Sequence, residues 1–498
     1  MSIAKLPDNE ELTGFRESLL KITETRWDEA EESMETRLCS QIDPAAGETM
    51  PGVQRSGEPR DRRPPPASSL ILDDDVPSQE ESFLPKTPQS LNELGVRKSD
   101  VEAIILKFLL NSGAHVGFEI AKHIHIPVSL IRELLRELKD EKLLVFKASA
   151  AAGDFLYELS EAGVDRARRY WEHCTYFGSV PVSMRDYVAS VHAQSVRKQK
   201  PKISQLQAAL NELTIPHRMI VRLARAVNSG LGLFLYGVSG NGKTTIASRL
   251  TRAFGESVWV PRAISVGGAI MRLYDPSNHV LQPLDGKDDN RSSVIDQRWI
   301  RIRRPTIVVG GELTLDSFEA RTSQATGITE APIQLKSNCG TLVIDDFGRQ
   351  RVSPTDILNR WIVPLAQRFD ILRLANGRTF EFPVDQLIVF STNLEPKDLV
   401  DEAFLRRIPY KIEVGNPSDD EFRTLLRKHA EEAGVKYQDA AVDYLLQKYY
   451  EKCGREMRYC HPVDILHQVC TYCEVLGVPP EITEHAIDAA AENYFSLL

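Results

Sequence analysis

No stretch of this sequence approaches the ~18 consecutive apolar residues of a membrane-crossing helix, so a membrane span is not expected. Cysteine is scarce: seven in 498 residues is an odd and sparse set, unlike the dense framework of a secreted disulfide-stapled domain. No signal-peptide pattern opens the text, and the expected location is a reducing cytoplasm. Nor is there a cationic excess. Sixty-one Lys and Arg stand against 70 Asp and Glu, a formal charge of -9, which argues against global affinity for nucleic acid and leaves only a local basic patch open. What remains is ordinary soluble composition, 42% hydrophobic and 26% charged, in a chain long enough for two or three domains.

Against that background one stretch organises the rest. Gly237-Val238-Ser239-Gly240-Asn241-Gly242-Lys243-Thr244 follows the apolar run Leu233-Phe234-Leu235-Tyr236 and leads through Thr245 into the helix former Ile246-Ala247-Ser248-Arg249-Leu250. Strand, glycine loop and helix at the spacing G-x-x-x-x-G-K-T let backbone N–H groups curl around an anion. The helix N-terminus lies under that anion, while Lys243 offers an ammonium and Thr244 a hydroxyl to phosphate and magnesium. The loop predicts binding of ATP or GTP.

A second nucleotide motif follows. Thr341-Leu342-Val343-Ile344-Asp345-Asp346 is an apolar strand ending on two carboxylates, as needed to place acid at the carboxyl edge of a parallel sheet beside phosphates. Asp345 is expected to hold magnesium through water, and Asp346 to aim the attacking water. Gln386 to Asn393 forms another apolar strand with a polar end, and Asn393 can bond a γ-phosphate or the water. Ahead of it, Asn376-Gly377 between two alternating runs predicts a β-hairpin.

Residues 1–90 are polar, with Arg60-Asp61-Arg62-Arg63 and a Pro run, and are expected to be mostly disordered; Leu12, Phe15, Leu19 and Ile22 share one helical face there. From 99 to 171 three short helices, two strands and a further helix resemble a winged helix. Its third helix carries Arg132, Glu133, Arg136, Glu137, Lys139 and Asp140, a balanced set that disfavours DNA and favours a protein contact or a structural wing. Residues 172–207 read as a linker, and 208–415 as the nucleotide-binding core. Within the core the expected second strand is Ser257-Val258-Trp259-Val260, followed by an insertion that includes Thr306-Ile307-Val308-Val309. Arg298 to Arg304 alternates cationic and apolar residues; it would present guanidinium groups to nucleotide or a nucleic-acid strand, or lie as an exposed strand paired with carboxylates. From 416 to 498 the text is helical, and His467, Cys470 and Cys473 share a face there. Buried small cysteines explain that face as well as a zinc site with Cys460 or His461 would.

The order of phosphate loop, Asp-Asp strand, hairpin, Asn-ending strand, Phe404-Leu405-Arg406-Arg407 and helical C-terminus resembles the AAA+ ATPases from about Ala208 onward. The resemblance implies an α/β fold with a parallel P-loop sheet and a helical lid, ATP and Mg2+ as ligands, and hydrolysis of ATP in a ring-shaped homo-oligomer acting on a protein partner. By it Lys243 and Thr244 are Walker A, Asp345 and Asp346 Walker B, and Asn393 sensor 1. Arg406 or Arg407 is the arginine finger, and Arg458 is sensor 2, with Arg455 as the alternative. Asp346 departs from the Glu that most of the family carries. The hairpin is similar to that of the MoxR-type and helicase-related branch. The stretches Gly340 to Gln350 and Leu358 to Leu365 resemble bacterial chaperone-like ATPases associated with Flp pilus assembly. A DNA-associated regulator with a nucleotide switch is the competing reading.

Overall fold

The N-terminal helical unit takes its shape from apolar spacing. Helices α1 (Lys98–Ser112), α2 (Gly117–Ile124) and α3 (Val128–Asp140) bury Ile104, Ile105, Ile120, Ile131, Leu134 and Leu135 against one another. An antiparallel sheet with Phe155–Leu159 between His115–Val116 and Leu144–Ser149 closes this core. The helix Glu161–His173 follows, capped by the Ser160 hydroxyl, which accepts from the Gly163 N–H. The outer side of α3 exposes Arg132, Glu133, Arg136, Lys139 and Asp140.

The computed structural model describes residues 83–283 and 294–495, all within the second of two units, Gln79–Leu498. The expected amphipathic face of Leu12, Phe15, Leu19 and Ile22 and the Arg60 to Arg63 cluster lie outside the described residues. Residues 83–90, counted above with the polar N-terminal text, are laid against the body. Phe83 meets Trp299 edge-on at 5.5 Å and the Thr87 N–H donates to the Val294 carbonyl.

Five parallel strands carry the nucleotide core: β1 (Leu233–Tyr236), β2 (Thr306–Val309), β3 (Thr341–Ile344), β4 (Leu387–Thr392) and β5 (Tyr410–Glu413). Their order across the sheet is β2-β3-β4-β1-β5. Both faces are covered, so each strand is apolar on both sides. Phe234, Leu342, Ile344 and Phe390 pack with Ile357, Leu358 and Trp361 of the helix Pro354–Gln367. Leu233, Leu235, Val343 and Val389 pack on the other face with Leu223 of α4 (His217–Ser229) and Ile246 and Ala247 of α5 (Lys243–Arg249).

Here the structure corrects the expected second strand. Ser257–Pro261 is outside the central sheet and pairs antiparallel with Trp299–Arg303, while Thr306–Val309 takes its place beside β3. Both runs are apolar and β-branched, and only the pairing partner tells them apart. Residues 172–207, read as a linker, are built into the body. Val182–Ser183 forms the edge of a second five-stranded sheet beside Ala263–Val266, and Tyr187 and Val191 of the helix Met184–Ala193 enter the main core.

The arginine run is also corrected. Arg298 and Arg304 are buried rather than displayed. Arg298 pairs with buried Asp296 at 2.8 Å and donates to the Leu94 and Pro181 carbonyls, tying the chain before α1 to the insertion. Arg304 donates to the carbonyls of Gly255, Gln194 and Cys339. The hairpin expected at Asn376-Gly377 forms from Phe369–Arg373 and Thr379–Pro383, with Gly377 at φ 81°.

The C-terminal helices include α6 (Asp419–Ala433), α7 (His461–Leu476) and α8 (Glu484–Phe495), packed around Phe422, Leu426, Val469 and Ile487. Among the described residues no helix is long and apolar enough to cross a membrane, and no group of three or more His, Cys, Asp or Glu is arranged to hold a metal.

Candidate functional site

The phosphate loop lies between the end of β1 and the start of α5, at the carboxyl edge of the sheet. Gly237, Gly240 and Gly242 all have positive φ (138°, 89° and 77°), which a side chain would strain. Space is as tight as conformation. A Cβ on Gly237 would lie 2.5 Å from the Val414 carbonyl oxygen, and one on Gly240 would lie 2.6 Å from Cys460 Sγ.

Around this loop the two other strand ends converge. Lys243, almost wholly buried, donates to the Gly237 and Val238 carbonyls at 2.9 Å and to Asn393 Oδ1 at 2.6 Å. Burial lowers the Lys243 pKa, and the nearby Arg458 works in the same direction, while Asp345 and Asp346 oppose the shift. The Thr244 hydroxyl reaches the Asp345 carboxylate at 2.8 Å. Two hard oxygen donors thus meet at the mouth of the loop, a donor set that fits Mg2+.

Asp346 has φ 45°, and its Oδ1 accepts from Asn393 Nδ2 at 3.1 Å. The turn is held by Gln350, whose side-chain amide donates to the Asp345 and Asp346 carbonyls, and by the Phe347 N–H donating to Ser391. Gln350 was not anticipated as part of the site.

The lid closes the other side. The Cys460 N–H donates to the Gly240 carbonyl at 3.0 Å, and Asn241 Oδ1 accepts from the Tyr459 N–H. Asn241 Nδ2 donates to Gly415 and to Asn416 Oδ1. This buried side chain therefore latches the segment after β5 and the lid to the loop. Arg458 and Arg455 part company here. Arg458 Cδ lies 3.6 Å from the position a Gly240 Cβ would take, and its Nε is buried with no hydrogen-bond partner. Arg455 instead stacks on Phe495 at 3.8 Å and donates to the Tyr449 carbonyl, inside the lid.

A parallel sheet in the order β2-β3-β4-β1-β5, with a phosphate loop after β1, paired acids after β3, Asn after β4 and a helical lid, defines the architecture. The fold is a P-loop α/β core with a helical lid. The model of a domain of unknown function, DUF8689, matches residues 418–493, which cover the lid. No curated protein matches the chain. Among solved structures, the RuvB Holliday junction branch migration motor of Thermotoga maritima is 14% identical, covering 58% of this chain and 73% of its own, at a TM-score of 0.32. NtrX from Brucella abortus in complex with ATP is 13% identical over 59% of each chain, at a TM-score of 0.36.

Beside the loop lies a cleft of about 820 Å³, walled by Leu213, Ile215 and Met219 before and within α4, by Val414 after β5, and by Leu425 of α6. Its apolar walls next to glycine N–H groups suit a flat base attached to phosphates. These wall residues were missed in the sequence because no motif marks them; the apolar spacing of α4 is their only trace. Ser239 and Thr245 are exposed at the loop. Arg406 and Arg407 end the short helix Glu402–Arg407, both exposed, with Arg406 paired to Glu402 at 3.1 Å and Arg407 6.0 Å from the Phe404 ring centroid.

Proposed function

We propose that the chain binds ATP with Mg2+ and hydrolyses it as an oligomer, using lid motion against the core to remodel a protein partner. The observation that carries this is the convergence of Lys243, Thr244, Asp345, Asp346, Asn393 and the orphaned Arg458 Nε on one glycine loop. In this reading the N–H groups from Gly237 to Thr245 and the Lys243 ammonium bind the β- and γ-phosphates. Thr244 and Asp345 would hold Mg2+, which offsets phosphate charge when bound. Asp346 and Asn393 orient the attacking water, Asp346 as the polarising carboxylate. Arg458 reaches the phosphates from the lid, so loss of the γ-phosphate is felt by the lid helices.

Arg406 or Arg407 supplies the arginine finger to a neighbouring copy. Exposure of both supports this, and an exposed i,i+4 pair such as Arg406–Glu402 holds its partner only weakly. The hairpin 369–383 supports the MoxR-type and helicase-related branch, and the text from Gly340 to Gln350 supports the pilus-associated chaperone-like group.

The unit from 99 to 171 is read as a winged helix that contacts protein. Exposed Phe118, Val145 and Phe146 give it an apolar surface, and the mixed charge of α3 offers little to a phosphate backbone. The experiment is phosphate release from Mg-ATP by the full chain, with Lys243→Ala as the blank; release no faster than the blank would overturn the ATPase. Tight, sequence-selective duplex binding at physiological salt would favour the DNA-associated regulator over the protein remodeller.

A further inference from the structure

We propose that a cleft between α2 and the strand pair Ala263–Val266 and Ala269–Arg272 is a second ligand site, which takes a small phosphorylated molecule. The cleft measures about 670 Å³ and shares no lining residue with the cleft beside the phosphate loop, with α2, residues 176–179 and residues 262–274 as its walls. Its lining is cationic. Lys122, Arg262 and Arg272 face it with His115, His123 and His125, while Glu119 is its one carboxylate. That carboxylate is already engaged, accepting from the Val116 N–H and bonded to His115 Nδ1 at 2.9 Å.

Two polar demands are unmet inside the cleft. Arg262 is half-buried, and its Nε makes only a long 3.4 Å contact to the Gln297 carbonyl, with no carboxylate paired to it among the described residues. Tyr176 and Tyr274 line the cleft with it, and the Tyr176 hydroxyl is already spent on the Ser179 carbonyl. His125 Nδ1 is buried with no hydrogen-bond partner. His125 also sits at φ 62° where α2 ends, in the left-handed region that a Cβ disfavours. A half-buried guanidinium without a counter-ion costs free energy that an anion would return.

The chemical class follows from charge and size. Arg272 is ion-paired with Glu330, so Lys122 and Arg262 are the two lining cations left without a carboxylate partner among the described residues; two such charges match a dianion better than a monoanion, and the planar donor fork of Arg fits phosphoryl oxygens. A cleft of this volume falls in the range that small organic ligands occupy and is larger than a free phosphate ion needs. The phosphoryl group lies at Arg262, with Lys122 at the mouth, and the remaining volume holds the organic part.

The site is tested by calorimetric titration of the full chain carrying Lys243→Ala, which removes the phosphate loop as a competitor. Ribose 5-phosphate is the probe, with ribose and inorganic phosphate alongside. Saturable binding of ribose 5-phosphate, absent for ribose and weaker for phosphate, is expected. Arg262→Gln should weaken it roughly tenfold or more, the scale of a lost charge-assisted pair. Because Arg262 is partly buried, Lys122→Gln serves as the second variant; Lys122 is exposed, so its substitution leaves the fold intact and should still weaken binding several-fold. No saturable binding at millimolar probe, equal binding of ribose, phosphate as tight as the phosphorylated sugar, or unchanged affinity in both variants would each overturn the proposal.

Discussion

The Lys243 ammonium lies 2.6 Å from Asn393 Oδ1, while the same amide donates from Nδ2 to Asp346 Oδ1 at 3.1 Å. An ammonium has no lone pair to offer and a carboxylate no proton, so the amide orientation is determined by its two partners. One side chain therefore links the cation proposed to meet phosphate to the acid proposed to polarise water. In the proposed reading a γ-phosphate would compete for both Lys243 and Asn393, and through Asn393 would reach Asp346.

Removing the ammonium tests the binding half of this chain of contacts. Lys243→Ala should abolish ATP binding, measured by equilibrium titration, because no other side chain enters the loop with a positive charge from β1 or α5. Unchanged affinity would mean that the loop is not the nucleotide site.

Removing the acid tests the chemical half. Asp346→Asn should leave ATP affinity intact and lower turnover by roughly 10²-fold or more, the scale of a lost positioned base. Asn keeps the shape of the turn at φ 45°, which Asn tolerates as well as Asp. Turnover equal to the parent would place the water in other hands. The same variant, holding ATP, is the form with which to co-purify a protein partner.

The finger acts between copies if Arg406 or Arg407 is the group. Specific activity should rise with protein concentration. A mixture of Arg406→Ala/Arg407→Ala chains with Lys243→Ala chains should recover part of the hydrolysis that neither has alone, since arginine fingers are worth about 10³ to 10⁵ in rate. A mixture as inactive as its components, with activity per chain independent of concentration, would leave both arginines as local partners of Glu402 and Phe404.

Arg298 is a matter of stability rather than of chemistry. Arg298→Ala strands the Asp296 carboxylate, 3% exposed, and frees the Leu94 and Pro181 carbonyls. Chemical denaturation should show a loss of about 3 to 5 kcal/mol, the cost of breaking one half of a buried pair. Replacing both partners, as Arg298→Met with Asp296→Leu, should recover much of it; equal losses would show that the two carbonyl contacts carry the cost.

Acid should loosen the lid. Burial lowers the His461 pKa from 6.5 to about 4, with Arg458 adding to the shift, and its Nδ1 accepts from the Tyr450 hydroxyl. Between those two values the unfolded chain binds a proton that the folded chain does not, so stability is complete above about pH 6.5 and falls as pH drops toward 4. His125, also lowered to about 4 by burial, adds to the same window. The thermal midpoint of the His461→Gln chain should fall less steeply over this range than that of the parent; parallel curves would remove His461 from the account.

What the sequence determined by itself is local. The glycine loop, the two strands with polar ends, the Asn376-Gly377 turn and the helical text of the lid are legible because spacing of a few residues dictates φ, strand alternation and helical face. Tertiary structure decided everything that depends on a partner far along the chain. Ser257–Pro261 and Thr306–Val309 read alike, and only pairing with β3 selects the second. The alternation of Arg298 to Arg304 suggests display, yet Arg298 and Arg304 are drawn inward by Asp296 and by backbone carbonyls that local text cannot reveal. Arg455 and Arg458 are three residues apart, and the docking of Tyr459 and Cys460 on the loop is what brings Arg458 to Gly240 and leaves Arg455 on Phe495. The cleft at Arg262 has no motif at all, because its cations come from segments joined only by folding.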